Sequence, residues 1–426
     1  MNDLNYIIEH KEECEKLYKA KLYEVNLDNL VKLVNERKDL QKVTENNKAE
    51  QNKLSKSVPE VKKNGGDVNA VFMKVKELAA QNKDAEDKLK EVEDSIDKIW
   101  FALPNLPDKD LLPGGKENNK PIYTYGKKPE FKFKPKDHVE LAESLGLIDY
   151  QRAAKIAGSG AWIYTGLGAQ LEWALLNFFI STHLSDGFTF ILPPHLLNYD
   201  SGFTAGQFPK FEEDVFVMKD FEPYRFLLPT AETALVNLHR DEILKDTELP
   251  KKYFAYTPCY RKEAGSYRTE ERGMIRGYQF DKVEMVEYTA DNDSDRAFAE
   301  LVKKAQTLVE KLGLHFQISK LAAGDCSHSM ARTYDIEVWI PSMGIYKEVS
   351  SVSNARDYQA RRGKERYKDE AGKMHFCHTL NGSGLATSRI FPAILEQFQQ
   401  EDGSVLIPEV LQPFMGGLKV LKPTKK

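Results

Sequence analysis

The most regular pattern of hydrophobic and polar positions lies between residues 70 and 100. Mostly apolar residues recur there at alternating steps of four and three, and charged or amide residues fill the positions between them. This heptad spacing places the apolar residues on one stripe of a helix and predicts the seam of a coiled coil. The seam consists of Val71, Val75, Leu78, Asn82, Ala85, Leu89, Val92, Ile96 and Ile99.

A preceding helical stretch, from about residue 27, carries a less complete seam. Polar Asn47 and Glu50 interrupt it, and Pro59, Gly65 and Gly66 are the strong helix breakers before the second stretch. We therefore expect an antiparallel hairpin whose limbs of about 30 residues span on the order of 45 Å. Spacing alone leaves open a dimerising coiled coil, an ordinary pair of bundle helices or a binding arm. The apolar positions of this first seam are Leu33, Leu40, Val43 and Leu54.

A linker rich in proline and glycine, from Pro104 to Gly115, follows the hairpin and divides the chain into residues 1–103 and 104–426. Beyond it, short apolar stretches alternate with turn residues, and few helices between them are long enough for crossover connections. This order predicts an antiparallel sheet in an α+β fold and argues against Rossmann or P-loop nucleotide sites, whose glycine fingerprints are absent. The expected strands are 188–192, 225–228, 253–261, 276–288, 334–340, 345–350 and 374–380.

Composition narrows the class of protein only moderately. The 426 residues have a net charge of -4, so any nucleic-acid binding must use a local basic surface. Four widely spaced cysteines fit reduced thiols in a cytoplasmic protein rather than a disulfide framework or a zinc ribbon. No apolar run approaches the roughly 20 residues that span a bilayer, and the start of the chain resembles no signal or transit peptide. We expect a cytoplasmic protein without a membrane partner.

Two strands near residues 260 and 280 carry the first candidate chemistry. Arg261 and Glu263 would share one face of the first strand, and Arg276, Phe280 and Glu284 one face of the second. Guanidinium groups match phosphate oxygens and an aromatic plane can stack an adenine, so the set suits a nucleotide whose α-phosphate is attacked. A solvated sheet face with charge pairs is the simpler alternative.

A second candidate is the segment 381–389, which reads Asn-Gly-Ser-Gly-Leu-Ala-Thr-Ser-Arg and precedes an apolar helical run from Ile390 to Phe398. Its glycines permit close backbone approach, and a helix that begins beside them would direct N–H groups at an anion, with Arg389 one or two turns in. A helix cap followed by a surface arginine is the alternative.

These two segments resemble motifs 2 and 3 of class II aminoacyl-tRNA synthetases, and their residue sequences are similar to those of seryl-tRNA synthetases. The resemblance implies a class II catalytic core with an antiparallel sheet and an N-terminal antiparallel α-helical coiled-coil arm. It further implies activation of L-serine by ATP to seryl-adenylate and transfer of serine to the 3′ end of serine tRNA, while selenocysteine tRNA stays open. The resemblance continues through residues 138–146, 166–169, 206–214 and 408–417.

The same resemblance implies site residues, with Arg261 and Arg389 as the catalytic pair. Glu348 and Ser351 would hold a magnesium ion that arrives with ATP, because hard cations prefer oxygen ligands. The implied serine pocket consists of Thr230, Ala231, Glu232, Arg261, Glu284 and Ser383. The implied ATP site consists of Arg261, Lys262, Glu263, Phe280, Glu348, Val349, Ser350, Ser351 and Arg389.

The resemblance also assigns partners to the two ends of the chain. The hairpin of residues 1–103 would grip the long variable arm of the serine tRNA, and a motif 1 region at residues 187–194 would form a homodimer. Spacing does not show which basic residues contact RNA. The candidates are Arg37, Lys38, Lys42, Lys53, Lys76 and Lys83.

The sequence departs from the family in the loop from Tyr267 to Arg272, which meets ATP and the acceptor end, and at Tyr278, where a histidine is usual. These departures suggest a divergent lineage or a second gene copy. Three competing functions are weaker. A ligase for carrier proteins lacks the arm, a threonine-specific enzyme needs zinc ligands, and a non-enzymatic relative would have lost Arg261, Glu284 or Arg389.

Overall fold

The computed structural model describes residues 1–263 and 273–423. Its contacts divide the chain into two compact units. One unit comprises Asp3–Lys16 and Glu24–Leu103, and the other comprises Met1–Asn2, Leu17–Tyr23 and Pro104–Lys426.

Two long helices form the predicted hairpin in the first unit. They are α3, Asp28–Lys63, and α4, Val68–Trp100, and the short helices α1, Leu4–Glu9, and α2, Lys11–Ala20, precede them. Pro59 lies inside α3 and does not end it, and the turn follows at Gly65, which has a φ of +68°. The Asp67 carboxylate caps α4 by accepting hydrogen bonds from the backbone N–H groups of Asn69 and Ala70.

The two limbs are joined by a short turn and pack against each other as an antiparallel pair. One contact between them is an ion pair of 2.8 Å between Lys48 of α3 and Glu86 of α4. Every predicted seam position of α4 is buried or half-buried, which confirms that seam. The seam of α3 differs by one position, since Val43 is 46% exposed and Thr44 is buried in its place. The Thr44 hydroxyl can be buried because it donates a hydrogen bond of 2.8 Å to the Gln41 carbonyl oxygen.

The second unit contains the remaining helices. The α-helices are α5 (His138–Ser144), α6 (Tyr150–Ala157), α7 (Leu167–Ser185), α8 (Tyr199–Thr204), α9 (Glu232–Leu235), α10 (Ser294–Lys311), α11 (Tyr358–Gly363) and α12 (Thr387–Gln397). Short 3₁₀ segments lie at Lys116–Asn118, Glu212–Asp214, Asp246–Glu248, Asp291–Asp293 and Glu409–Met415. None of the described helices is long and apolar enough to cross a membrane.

The strands of this unit are β1 (Lys120–Tyr125), β2 (Thr189–Ile191), β3 (Leu196–Asn198), β4 (Arg225–Leu227), β5 (Ile243–Lys245), β6 (Lys251–Tyr260), β7 (Gln279–Thr289), β8 (Phe316–Lys320), β9 (Arg332–Ile340), β10 (Ile345–Arg356), β11 (Arg366–Lys368), β12 (Met374–Phe376), β13 (His378–Ala386), β14 (Val405–Leu406) and β15 (Val420–Leu421). Eight of them form the main sheet in the order β1-β8-β9-β10-β13-β7-β6-β2. All its neighbouring strands pair antiparallel except β2 and β6, which confirms the predicted sheet type.

Several strand boundaries differ from the sequence expectation. For example, β6 ends at Tyr260, before Arg261, and β10 continues to Arg356 instead of ending at residue 350. The strand expected from Arg276 begins only at Gln279, and the one expected at 374–380 is divided at Cys377 into β12 and β13. The glycine segment continues β13 to Ala386 and α12 begins directly after it, so Arg389 lies in the first turn of that helix. Glycines in this strand are tolerated because neighbouring side chains approach its backbone closely, for example His183 at Gly384.

Alternation along β7 separates the core from a cleft. Val283 and Met285 point into the main hydrophobic core, which also contains side chains of α7, α10 and α12. Phe280, Lys282 and Glu284 lie on the opposite face, where they line a cleft. At Lys282 and Glu284 the sheet therefore presents charged side chains to the cleft, and the core helices pack against its opposite face.

Candidate active site

A cleft of about 590 Å³ lies over the centre of the main sheet. Its floor consists of side chains from β7, β10 and β13, and its walls come from the segments around Gly206, Thr230 and Ser329. A narrower end is lined by Phe280, by arginine side chains and by small residues at the start of α12.

The carboxylate of Glu284 is the centre of the wide part of the cleft. Glu284 lies directly opposite Ser383 in the pairing of β7 with β13, and its side chain is buried. The hydroxyl groups of Thr230 and Ser383 donate to Glu284 Oε2 at 3.3 and 3.4 Å. Lys282 forms an ion pair with the same oxygen, and its ammonium donates to Thr230 Oγ1 at 2.8 Å.

A second carboxylate, Glu232, stands at the start of α9 and lines the same part of the cleft. Its Oε1 accepts a hydrogen bond of 2.8 Å from Gln359 Nε2. Burial raises the pKa of Glu232 to about 7, and the negative charge of Glu284 adds to this rise, while the Gln359 hydrogen bond opposes it. Two carboxylates and two hydroxyl groups can thus bind a small ligand that carries a cation and a hydroxyl group.

The narrow end of the cleft brings together six of the predicted nucleotide residues, among them Arg261, Glu263 and Phe280. The Arg261 guanidinium lies 5.1 Å from the centroid of the Phe280 ring, and its Nε donates to the Pro229 carbonyl oxygen at 3.2 Å. Glu263 accepts a hydrogen bond of 2.7 Å from Arg276 Nη1. An aromatic plane between guanidinium groups suits a purine base that carries phosphates.

A β-bulge in β10 places Glu348 and Ser351 on the face of the cleft. The register between β10 and β9 shifts between Glu348 and Ser350, so two residues an odd number of positions apart line the same cavity. Arg389 lies beside them, because its Nη1 donates to the Glu348 carbonyl oxygen at 2.8 Å and is 3.6 Å from Glu348 Oε2.

Ser351 and Glu348 offer oxygen ligands for a magnesium ion. The Ser351 hydroxyl donates to Asp335 Oδ1 at 2.7 Å, which leaves its lone pairs available to a cation. Within residues 1–263 and 273–423, no three His, Cys, Asp or Glu residues form a metal-binding group. The two residues therefore fit a magnesium ion that brings its other ligands with a phosphate substrate.

Several predicted residues do not present a side chain to the wide part of the cleft. Lys262 points away, since its ammonium donates to the Glu213 carbonyl oxygen at 2.9 Å. Ala231 is fully buried in a hydrophobic cluster, and Ser350 is buried and donates to the Ser383 carbonyl oxygen at 2.6 Å. Val349 lines only the narrow end. The loop from Tyr267 to Arg272 lies outside the described residues.

Sequence reasoning missed two residues that contact the carboxylates of the cleft: Lys282, which lines the cleft, and Gln359, which binds Glu232. Lys282 alternates with Phe280 and Glu284 along β7, so the period of the strand could have revealed it. Gln359 comes from α11, and no local pattern in the sequence links it to Glu232.

Comparisons with known proteins agree over the whole chain. Residues 1–107 match the seryl-tRNA synthetase N-terminal domain, and residues 216–398 match the tRNA synthetase class II core domain for G, H, P, S and T. A serine–tRNA ligase 2 of Clostridium acetobutylicum is 57% identical over 421 residues, which are 98% of this chain and 99% of that protein. A serine–tRNA ligase of Syntrophotalea carbinolica is 42% identical over 422 residues, again 98% of this chain and 99% of the relative.

A solved structure has the same architecture. The crystal structure of seryl-tRNA synthetase from Pyrococcus horikoshii complexed with ATP superimposes with a TM-score of 0.95 at 31% identity. The superposition covers all of both chains.

The raised pKa of Glu232 makes a prediction about stability. Its folded pKa of about 7 exceeds the ordinary value of 4.5, so the folded state holds the proton more tightly than the unfolded state. Burial of this carboxylate therefore lowers stability progressively as the pH rises from 4.5 to about 7. In urea unfolding at pH 8, we expect the free energy of unfolding of Glu232→Gln to exceed that of the wild type by on the order of 1–3 kcal/mol. Near pH 5 the two proteins should differ little.

The exposed Glu213→Gln serves as the control and should not change stability at either pH. A stability difference between Glu232→Gln and the wild type that is equal at pH 5 and pH 8 would contradict the assignment.

Proposed function

The chain belongs to the seryl-tRNA synthetase family of class II aminoacyl-tRNA ligases, and from this premise we propose how its residues perform the reaction. The enzyme activates L-serine with ATP and transfers the serine to tRNA. The observation that supports our assignment of residues is the buried Glu284 carboxylate, surrounded by the hydroxyl groups of Thr230 and Ser383 in a cleft that also holds Glu232.

We assign the wide part of the cleft to serine. The Glu232 carboxylate binds the ammonium group, and the Glu284 carboxylate accepts the hydrogen bond of the serine hydroxyl with Ser383 beside it. Alanine would leave these buried polar groups unpaired, which costs about 1–3 kcal/mol per group. Ala231 contributes packing below the pocket rather than a polar contact.

We assign the narrow end to ATP, with the adenine on Phe280 and the phosphates between Arg261 and Arg389. A carboxylate oxygen of serine attacks the α-phosphorus, the bond to the bridging oxygen breaks, and pyrophosphate leaves with the γ-phosphate at Arg389. A ribose hydroxyl of the tRNA 3′ end then attacks the carbonyl carbon and AMP leaves. The two guanidinium groups stabilise the charge on phosphate, so positioning and electrostatics provide the catalysis without a protein nucleophile. Glu263 supports this end through Arg276.

We propose that Glu348 and Ser351 hold a magnesium ion with the ATP phosphates. When bound, the ion would neutralise part of the phosphate charge and so favour attack on the α-phosphorus. Glu348 also sets the position of Arg389 through its carbonyl oxygen. Val349 and Ser350 act through packing and through the backbone of β13.

We propose that residues 1–103 bind tRNA and residues 104–426 carry the chemistry. The charge of the hairpin supports this role for one end of it. Residues 53–77, around the turn, contain six lysines and three acidic residues, whereas residues 84–97 contain seven acidic residues and two lysines. The turn end is therefore the phosphate-binding end, and the opposite end of α4 repels RNA.

A homodimer is part of the same proposal. The exposed apolar side chains Trp173 and Leu184 lie on one face of α7, and Leu192 and Leu196 lie near β2, with exposures between 50 and 73%. We assign these side chains to the dimer contact, because an interface covers exposed apolar surface. A particle mass of one chain, 48.6 kDa, in light scattering would contradict the dimer.

A cytoplasmic location completes the proposal. All four cysteines lie in the described part of the chain, where they are buried and form no disulfide. Free thiols are usual where glutathione and thioredoxin keep cysteines reduced. ATP and tRNA are both present in that compartment.

Exchange of pyrophosphate into ATP tests the site. The purified protein should catalyse this exchange with serine and, at comparable efficiency, with no other standard amino acid. Glu284→Ala should raise the KM for serine by about tenfold or more, with little change in the KM for ATP, because it removes a contact to the serine hydroxyl.

Arg389→Ala is the matched variant for the other half of the site. It should slow adenylate formation in single-turnover experiments and leave serine affinity close to that of the wild type. Exchange with alanine or threonine as fast as with serine would refute the assignment of the pocket.

Charge reversal along the hairpin tests the arm. Lys62→Glu combined with Lys63→Glu and Lys76→Glu should raise the KM for tRNA in aminoacylation by about tenfold and reduce its salt dependence, because phosphate contacts are lost. Pyrophosphate exchange should not change.

Lys88→Glu combined with Lys90→Glu is the control, since these exposed lysines lie in the acidic part of α4. An equal loss of tRNA affinity in both sets would contradict the proposed binding end.

A further inference from the structure

Three donors converge on a single oxygen of Glu284. The ammonium of Lys282 and the hydroxyl groups of Thr230 and Ser383 all meet Oε2. No residue of the described ranges 1–263 and 273–423 donates a hydrogen bond to Oε1. That atom is also absent from the buried polar atoms without a partner, so it is accessible from the cleft.

These three donors determine the rotation of the Glu284 carboxylate about its terminal torsion. The terminal torsion of a glutamate is soft, and its two oxygens are equivalent until donors distinguish them. Among the three donors, Lys282 carries the only charge, and charged hydrogen bonds are about twice as strong as neutral ones. Its side chain is only 7% exposed, so solvent weakens the pair little.

Charge balance points in the same direction. Glu232 and Glu284 bring two carboxylates into one pocket, and Lys282 is buried beside them. A buried carboxylate is costly unless it is paired. With Lys282 held by Glu284, Glu232 stays available for the ammonium group of an incoming amino acid.

We propose that Lys282 is a positioning residue for serine selection. It holds Oε2 of Glu284 so that Oε1 faces the cleft and accepts the hydroxyl hydrogen of the substrate. Lys282 itself makes no contact with the reacting atoms. This inference rests on the proposed function, because it takes the cleft around Glu284 as the serine pocket.

The test measures pyrophosphate exchange with serine and with alanine for Lys282→Met, which removes the ammonium at similar side-chain length. We expect the KM for serine to rise by about tenfold or more, the preference for serine over alanine to fall by a similar factor, and the KM for ATP to change little. Lys282→Gln keeps a hydrogen-bond donor and should lose less than Lys282→Met.

A double variant separates positioning from a general structural role. If Lys282 acts through Glu284, Lys282→Met should add almost no further loss in a Glu284→Gln background. Full additivity of the two changes would overturn the proposal. The double variant also removes the unpaired charge, so it provides a folded protein if Lys282→Met alone does not fold.

Lys252 offers a matched control in the same sheet. It lies on β6 and pairs at 3.4 Å with the buried Glu287 of β7, and neither residue lines the cleft. Lys252→Met should alter stability and leave the KM for serine unchanged. A serine KM that rises equally in Lys252→Met and Lys282→Met would overturn the proposal, whereas a wild type inactive with serine would refute the proposed function instead.

Discussion

The alternation of side chains along β7 is the constraint on which the rest of the structure depends. This strand lies between β6 and β13 in the main sheet. Its odd positions Val283 and Met285 anchor the helices of the core, and its even positions Phe280, Lys282 and Glu284 form the floor of the cleft. A shift of the register by one residue would place charges in the core and apolar residues in the site. The same packing that stabilises the sheet therefore fixes the spacing between Phe280 and Glu284, the proposed contacts of adenine and of the serine hydroxyl.

Burial of the Glu232 and Glu284 carboxylates costs free energy, and the two groups differ in how far their partners offset this cost. Glu284 is compensated by an ammonium and two hydroxyl groups, whereas Glu232 has one amide donor and a pKa raised to about 7. Of the two carboxylates of the cleft, Glu232 is thus the one that has no ion pair within residues 1–263 and 273–423. In the proposed serine pocket a substrate ammonium supplies the positive partner, so binding offsets part of the cost of burying the Glu232 charge.

The sequence predicts those parts of the molecule whose pattern is local and periodic. The seam of α4 and the antiparallel sheet follow from spacing, and Lys282 could have been found from the alternation of β7. The seam of α3 fails at Val43, because its register is set by the facing helix and not by its own apolar residues. The bulge in β10 could not be predicted from the spacing of residues, since simple alternation would place Glu348 and Ser351 on opposite faces of the strand. Gln359 reaches Glu232 only through tertiary contact.

The charge of the hairpin explains why a net charge of -4 does not exclude an RNA partner. Residue 74, near the turn, and residue 90, in the acidic part of α4, are separated along the helix by roughly 24 Å at 1.5 Å rise per residue. The screening length at physiological salt is about 8 Å, so an RNA phosphate near the turn is affected little by the acidic part. At low salt the two parts interact, and the acidic part opposes binding of the RNA. If the turn end binds RNA as proposed, local charge there, rather than the total, determines affinity, and salt has two opposing effects on it.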